Sequence, residues 1–149
     1  GFHDVKKVLE HGRVMISALS LGFARGALEE AGRYARERKA FGKELNRFQS
    51  IQNKLADMAT DVEAGRLLLY HAAYLLDQGR CSVQKAAMTK LFTSEMATRA
   101  CMDAIQILGG YGYLRDYNVE RYMRDAKLCE IGEGTSEVMR ILIAKDVGA

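Results

Sequence analysis

A glutamate between two glycines near the end of the chain has the residue type and neighbours expected of a catalytic base. Residues 131–137 read IGEGTSE, with Glu133 at the centre. Glycine on either side leaves the backbone free to adopt conformations that other residues avoid, so the carboxylate can be aimed into a cavity. Such a carboxylate could remove a proton from a bound substrate. The alternative is structural, because acids also favour the positive end of a following helix. Local sequence alone favours this alternative.

Two further segments contain residues suited to an anionic or aromatic ligand. Arg38 closes the first predicted helix and Phe41 follows it, and an arginine beside an exposed ring can hold a phosphate and stack on an aromatic group. Residues 106–113 read QILGGYGY, and backbone N–H groups of glycine-rich turns can approach an anion closely. The segment follows a helix and lacks the residues of a phosphate-binding loop. Turn glycines and helix-terminal cations therefore remain structural alternatives.

Composition restricts the class of protein. The chain has 149 residues, a net charge of +3 and no proline, which is typical of a single domain of long helices. The charge is too small to indicate nucleic-acid binding. Three widely spaced cysteines, Cys81, Cys101 and Cys129, form no metal-ligand or disulfide pattern, so we expect free thiols and no metal site.

The hydropathy of the chain and its first residue lead to two expectations about the protein. No run of 18 apolar residues and no signal peptide is visible, so we expect a soluble protein without membrane insertion. The chain begins with Gly1 rather than Met, and we expect it to be a processed or excised piece.

Apolar spacing predicts three long helices. The first runs from about Asp4 to Arg38 and is followed by a break at Phe41 and Gly42. Asn46 could cap the second helix with Gln49 three residues later, and Gly79 ends it. Ser82 caps the third helix, which stops before Gly109. The predicted core positions recur three, four or seven residues apart, and those of the first helix are Val14, Ala18, Leu21, Leu28, Ala31 and Ala35.

The third helix has the most regular pattern. Its steps alternate between four and three residues, which indicates near-parallel helix packing. The positions are Ala87, Leu91, Ser94, Thr98, Cys101, Ile105 and Leu108. Two shorter helices are predicted at about Asn118–Lys127 and Ser136–Asp146. We therefore predict an all-α fold, an up-down-up-down four-helix bundle with a short extra helix, in one domain over residues 1–149.

Five motifs in order resemble the C-terminal α-helical domain of the acyl-CoA dehydrogenase family, and together they cover essentially the whole chain. They are ERKAFG at 37–42, FQSIQ with LADMA at 48–59, QILGGYGY at 106–113, VER with RDA at 119–126 and EGTSE at 133–137. The resemblance implies an FAD-dependent enzyme that forms a 2,3 double bond in an acyl-CoA by α-proton removal and β-hydride transfer. It also implies a homodimer or homotetramer and electron-transfer flavoprotein as acceptor. The location would be the bacterial cytoplasm or the mitochondrial matrix.

The resemblance also implies roles for individual residues. Glu133 matches the catalytic base, and its backbone N–H matches a donor to the thioester carbonyl. Arg13 and Gly134 match residues beside the substrate. The positions that match FAD contacts, many of them to the FAD of a neighbouring subunit, are Arg38, Phe41, Gln49, Gln106, Ile107, Leu108, Gly109, Gly110, Thr135, Ser136 and Glu137.

Several features depart from the family pattern. Gly132 stands where many members have an aromatic residue, which predicts open space near the acyl chain. Gly12, with Glu10 close by, matches the position at which some branches place the base. Ala40 stands where relatives often have a hydroxyl residue, so its side chain cannot hydrogen-bond FAD.

The family's N-terminal helical and middle β-domains are missing, so we expect the isolated chain to be inactive and to bind FAD weakly. A flavin oxidase or monooxygenase domain and a non-catalytic oligomerisation bundle remain as alternatives.

Overall fold

Helices dominate the chain. The computed structural model describes the backbone of residues 2–148 and the side chains of residues 8–148. Within residues 2–148 there are five α-helices: α1 Phe2–Glu37, α2 Gln49–Asp77, α3 Val83–Leu108, α4 Val119–Ile131 and α5 Ser136–Asp146. Two strands, β1 Lys39–Ala40 and β2 Lys43–Glu44, and 3-10 turns at Leu45–Arg47 and Gly109–Tyr113 complete the fold. The predicted all-α bundle with a short extra helix is confirmed.

Helix α3 is the centre of the bundle, because it packs against α1, α2, α4 and α5. Buried residues occur all around it, so the predicted seam covers only part of its contact surface. The hydroxyls of Thr89, Thr93 and Ser94 are buried, and each donates to a carbonyl one turn earlier in the helix. This satisfies polar groups that would otherwise be costly to bury. These small side chains let neighbouring helices approach closely.

On α1 the buried face differs slightly from the predicted stripe. Ala18 is exposed, contrary to the prediction. Ser17, Ala24 and Ala27 are fully buried. The stripe missed Ser17 because a serine carries no hydropathic signal, yet its hydroxyl donates to the Arg13 carbonyl at 2.6 Å.

The predicted start of α2 is wrong. Asn46 lies inside the 3-10 turn, and Phe48 precedes the helix without a side-chain cap. Strand β2 runs directly into this turn, so the helix begins two residues later than the capping pattern indicates, with Phe48 rather than Asn46 at the cap position. The Asn46 carbonyl instead accepts a hydrogen bond from the Gln52 side chain at 3.0 Å.

The other predicted helix boundaries agree better with the structure. The Ser82 hydroxyl accepts from the Lys85 N–H at 3.0 Å, which confirms the cap of α3. Gly79 has a φ of 65°, and the Arg80 N–H reaches back to the Leu75 carbonyl at 2.8 Å. This is the glycine-dependent helix ending that the sequence predicts.

The break after α1 is a small β-hairpin, which the sequence did not predict. Lys39 pairs with Glu44 and Ala40 with Lys43. Phe41 and Gly42 form the two-residue turn, with φ values of 50° and 80°. Two-residue strands are too short for an alternating pattern, whereas left-handed turn residues are what a two-residue hairpin requires.

Within residues 2–148, no helix has the length and hydropathy to cross a membrane. In the same part of the chain, no group of three or more His, Cys, Asp or Glu residues is arranged to hold a metal ion. The three cysteines are free.

Candidate active site

Glu133 lies in the four-residue turn between α4 and α5. Gly132 ends α4 with φ −63° and ψ 152°, and Glu133 and Gly134 then take φ values of 57° and 99°. A left-handed conformation costs a non-glycine residue about 1 kcal/mol, so its presence at Glu133 marks a position of functional interest. Thr135 starts α5 by accepting the Val138 N–H at 3.4 Å. The turn lifts Glu133 out of both helices.

The Glu133 side chain lies against α1, over Gly12. A Cβ atom built at Gly12 would lie 2.5 Å from Glu133 Oε2 and 3.2 Å from Oε1. The carboxylate therefore occupies the space that any side chain at Gly12 would take. Gly12 and Glu133, the two positions that match catalytic bases in different branches of the family, therefore lie next to each other although they are far apart in the chain.

Two buried cations donate hydrogen bonds to main-chain carbonyls in and beside the Glu133 turn. Arg13 is 7% exposed, and its Nε donates to the Glu133 carbonyl at 3.4 Å. Lys90 is 0% exposed, and its Nζ donates to the carbonyls of Glu130 at 2.9 Å and Gly134 at 2.7 Å. Main-chain carbonyls on both sides of the candidate base are therefore fixed by charged donors.

Burial affects both cations. It lowers the pKa of the Arg13 guanidinium, and the carboxylates of Glu10 and Glu133 partly oppose this. Burial also lowers the pKa of Lys90, with Cys129 and Glu130 acting in the opposite direction. Sequence reasoning missed Lys90. The available signal was a lysine inside an otherwise small and apolar stretch of α3.

The space beside Gly132 is occupied. A Cβ atom at this position would lie 3.1 Å from Ile16 Cδ1 and 3.5 Å from the Leu128 carbonyl oxygen. Ile16 from α1 thus fills the space of the missing side chain. The predicted space near an acyl chain stays a prediction.

A cleft of about 430 Å³ lies between the end of α1 and the end of α3. It is lined by Tyr34, Arg38, Leu45, Ile107, Leu108, Gly109, Gly110, Tyr111 and Leu114. The Arg38 guanidinium lies 5.6 Å from the centre of the Tyr111 ring. Cβ atoms at Gly109 or Gly110 would meet nothing within 4 Å, so the backbone here is open to a ligand. A cation, a ring and open backbone together fit an anionic ligand with an aromatic part.

The remaining predicted cofactor residues lie close to this cleft without all lining it. Phe41, 96% exposed, packs edge-on against Phe48 with ring centres 6.3 Å apart. Both rings line a neighbouring cavity of about 210 Å³ that shares Leu45 with the cleft. Gln49 is exposed at the start of α2, and Gln106 is exposed in the last turn of α3; neither lines the two cavities.

Thr135, Ser136 and Glu137 belong to the other region, beside Glu133 at the start of α5. The Ser136 hydroxyl is buried and has no hydrogen-bond partner among the residues that the structure describes. Hydrogen bonds from its own backbone N–H and from the Thr135 hydroxyl lower the pKa of the Glu137 carboxyl.

The two regions lie at opposite ends of α3. Lys90 contacts the turn that carries Glu133, and Leu108 lines the cleft. Because an α-helix rises 1.5 Å per residue, Lys90 and Leu108 are about 27 Å apart along the axis of α3. One copy of the chain therefore presents two separate regions.

The fold defines an all-α helical bundle, a class in which facing helices can carry cofactor and substrate sites. The family model described as "Acyl-CoA dehydrogenase, C-terminal domain" matches residues 1–148. The chain belongs to the acyl-CoA dehydrogenase family, as its C-terminal domain, which confirms the predicted family.

Individual relatives support this assignment. The chain is 52% identical, over 99% of its length, to "Probable acyl-CoA dehydrogenase YngJ" of Bacillus subtilis and covers 39% of that protein. It is 46% identical, over 97% of its length, to "Caffeyl-CoA reductase-Etf complex subunit CarC" of Acetobacterium woodii and covers 38% of it. Butyryl-CoA dehydrogenase from Megasphaera elsdenii matches with a TM-score of 0.96 and 43% identity, over 99% of this chain and 38% of that one. The chain thus spans about two fifths of the length of these relatives.

Proposed function

We propose that this chain supplies the catalytic base and part of the FAD site of an acyl-CoA dehydrogenase that forms a 2,3-enoyl-CoA. The observation that carries the proposal is the Glu133 carboxylate, which a left-handed backbone aims across the turn to Gly12. FAD, when bound, accepts the hydride that leaves the β-carbon. The flavin and acyl-CoA sites are completed by further domains of the family, and the isolated chain is inactive.

Glu133 acts through two groups. Its carboxylate removes the α-proton of the thioester, and its backbone N–H donates to the thioester carbonyl as negative charge develops there. Both groups belong to one residue, so the backbone angles of the turn set their relative orientation. Arg13 and Gly134 border the substrate, and Arg13 also fixes the Glu133 carbonyl.

The cleft at the other end of α3 takes part of an FAD molecule. Arg38, which lines the cleft, would pair with the pyrophosphate, and the open backbone of Gly109 and Gly110 would lie beside it. The family resemblance assigns this FAD to the active site of a neighbouring subunit, and the separation of about 27 Å between Lys90 and Leu108 along α3 agrees with that assignment. Beside Glu133, the unpartnered Ser136 hydroxyl is a polar group that a bound ligand would satisfy.

The assembly is a homo-oligomer, either a dimer or a tetramer. Leu67, Tyr70 and Tyr74 form an exposed face of α2, with exposures of 63%, 63% and 59%. Large exposed apolar faces mark interaction surfaces. Sedimentation of the full-length protein as a monomer would contradict this part of the proposal.

The electron acceptor is an electron-transfer flavoprotein. Support comes from the Acetobacterium woodii relative, whose name places it in an Etf complex. We place the enzyme in the cytoplasm if the source is bacterial and in the mitochondrial matrix if it is eukaryotic.

Substitution of Glu133 tests the proposal in the full-length, FAD-loaded protein. Glu133→Gln should keep FAD but slow the anaerobic bleaching of the flavin by acyl-CoA by about 10²- to 10⁴-fold, because a positioned base contributes that much. Glu120→Gln is the matched control, since this half-buried carboxylate pairs with Arg124 at 3.1 Å in the first turn of α4, at the opposite end of that helix from Glu133. Flavin reduction at the normal rate in Glu133→Gln would remove the assignment of the base.

A further inference from the structure

Lys90 is a lysine in the core of the bundle whose hydrogen bonds go to the main chain of a distant turn. It is 0% exposed, although lysine is almost never fully buried without a partner. The acceptors, the carbonyls of Glu130 and Gly134, are 40 and 44 residues away in sequence. Burying an ammonium group is costly, so its presence here points to a specific task for the charge and its donors.

The two acceptors flank Glu133. Glu130 belongs to the last turn of α4, and Gly134 directly follows the candidate base. One ammonium group therefore ties together the two ends of the segment that carries the left-handed angles of Glu133 and Gly134. Glycines on both sides of Glu133 give this segment many alternative conformations. Bonds that span it select one of them.

We propose that Lys90 is a positioning residue for the Glu133 base, acting through the carbonyls of Glu130 and Gly134. This inference rests on the proposed function of Glu133. Loss of the ammonium group releases both carbonyls, and the turn relaxes from its left-handed conformation. The carboxylate then leaves its place over Gly12, and α-proton removal slows while FAD and acyl-CoA still bind.

The test measures proton removal alone, in the full-length, FAD-loaded enzyme. The probe is a 3-thia-acyl-CoA, in which sulfur replaces the β-carbon so that no β-hydride can leave. Exchange of its α-protons with deuterated water is followed by mass spectrometry, and its binding is measured by titration. Lys90→Met keeps an unbranched apolar side chain but removes the donors. Exchange should fall about 100-fold, the effect of misplacing a reacting group by about 1 Å, with binding of the probe almost unchanged.

Two further variants separate positioning from general stability. Met96→Ala truncates another fully buried residue of α3, which packs beside Gly65, so it should lower the melting temperature and leave exchange intact. Lys90→Gln retains an N–H donor group and should show exchange between wild type and Lys90→Met.

Defined results would overturn the inference. Exchange by Lys90→Met at the wild-type rate, or reduced no more than in Met96→Ala, would contradict a positioning role. Loss of FAD or of the folded state in both Lys90 variants would assign the residue to stability alone. If Glu133→Gln also exchanged normally, the proposed base itself would be wrong. If only Glu133→Gln lost exchange, the base would stand and the role of Lys90 would fall.

Discussion

Gly12 is the position where the smallest substitution should separate activity from stability. A Cβ atom there would lie 2.5 Å from Glu133 Oε2, whereas ordinary van der Waals contact begins at 3.4 Å. In Gly12→Ala the carboxylate must therefore retreat by about 0.9 Å, the difference between these distances. Misplacement of a reacting group by about 1 Å costs on the order of 10²-fold in rate. We expect α-proton abstraction to slow by about this factor.

The same substitution should not harm the fold. Alanine in a helix interior is more stable than glycine by about 0.5–1 kcal/mol, and the atom that must move is the end of a flexible side chain. Gly12→Ala should therefore raise the melting temperature of the full-length protein slightly while it slows the enzyme.

Gly22→Ala is the matched control, because it lies on the same helix and its Cβ atom would meet nothing within 4 Å. Both variants should gain stability, and only Gly12→Ala should slow the anaerobic reduction of the flavin in a stopped-flow experiment. Equal reduction rates in the two variants would refute the placement of the Glu133 carboxylate over Gly12.

Two further predictions concern the cleft and the core. Arg38→Ala should weaken FAD binding by the full-length protein about 10- to 100-fold, because a hydrogen bond to a charged group contributes about 1.5–3 kcal/mol. Titration of the protein with FAD measures this loss. An equal loss in the exposed control Arg36→Ala would contradict the prediction. Burial raises the pKa of the Cys101 thiol to about 12. Its thiolate at pH 8 should therefore be about a thousandfold scarcer than for a thiol of pKa 9. Burial also raises the pKa of the Cys81 thiol, but Cys81 is half-buried whereas Cys101 is 0% exposed, so peptide mapping should show iodoacetamide modifying Cys81 before Cys101. Similar rates would show that Cys101 is accessible.

The fold was predictable because helical repeats are local patterns. The stripes of α1 and α3, the Ser82 cap and the Gly79 ending all depend on residues within a few positions of one another. The start of α2 was predicted wrongly for the same reason. Asn46 is a good capping residue, but this local property carries no information about the hairpin that precedes it. That hairpin depends on the left-handed angles of Phe41 and Gly42, and phenylalanine carries no signal for such a conformation.

The candidate site was predictable only in part. Glycines around Glu133 marked a turn that could aim a carboxylate, while the role of Arg38 drew on its neighbour Phe41. Lys90 stood out only as a lysine in a small and apolar stretch of α3, and its partners, main-chain carbonyls that every residue possesses, leave no pattern in the sequence. The contact between Gly12 and Glu133 likewise follows from how α1 packs beside the turn, which no local pattern encodes.

The hydrogen bonds of the two buried cations suit a turn that carries the candidate base Glu133. A lysine or arginine hydrogen-bonded to the carboxylate itself would occupy oxygen atoms that must be free to accept a proton. Lys90 donates instead to the carbonyls of Glu130 and Gly134, and Arg13 Nε donates to that of Glu133. These hydrogen bonds fix the main-chain carbonyls of the turn. The Glu133 side chain is directed by the open space over Gly12 instead. Lys90 of α3 thus acts on the main chain and Gly12 of α1 on the carboxylate, so substitutions at Lys90 and at Gly12 should slow proton removal by separate routes.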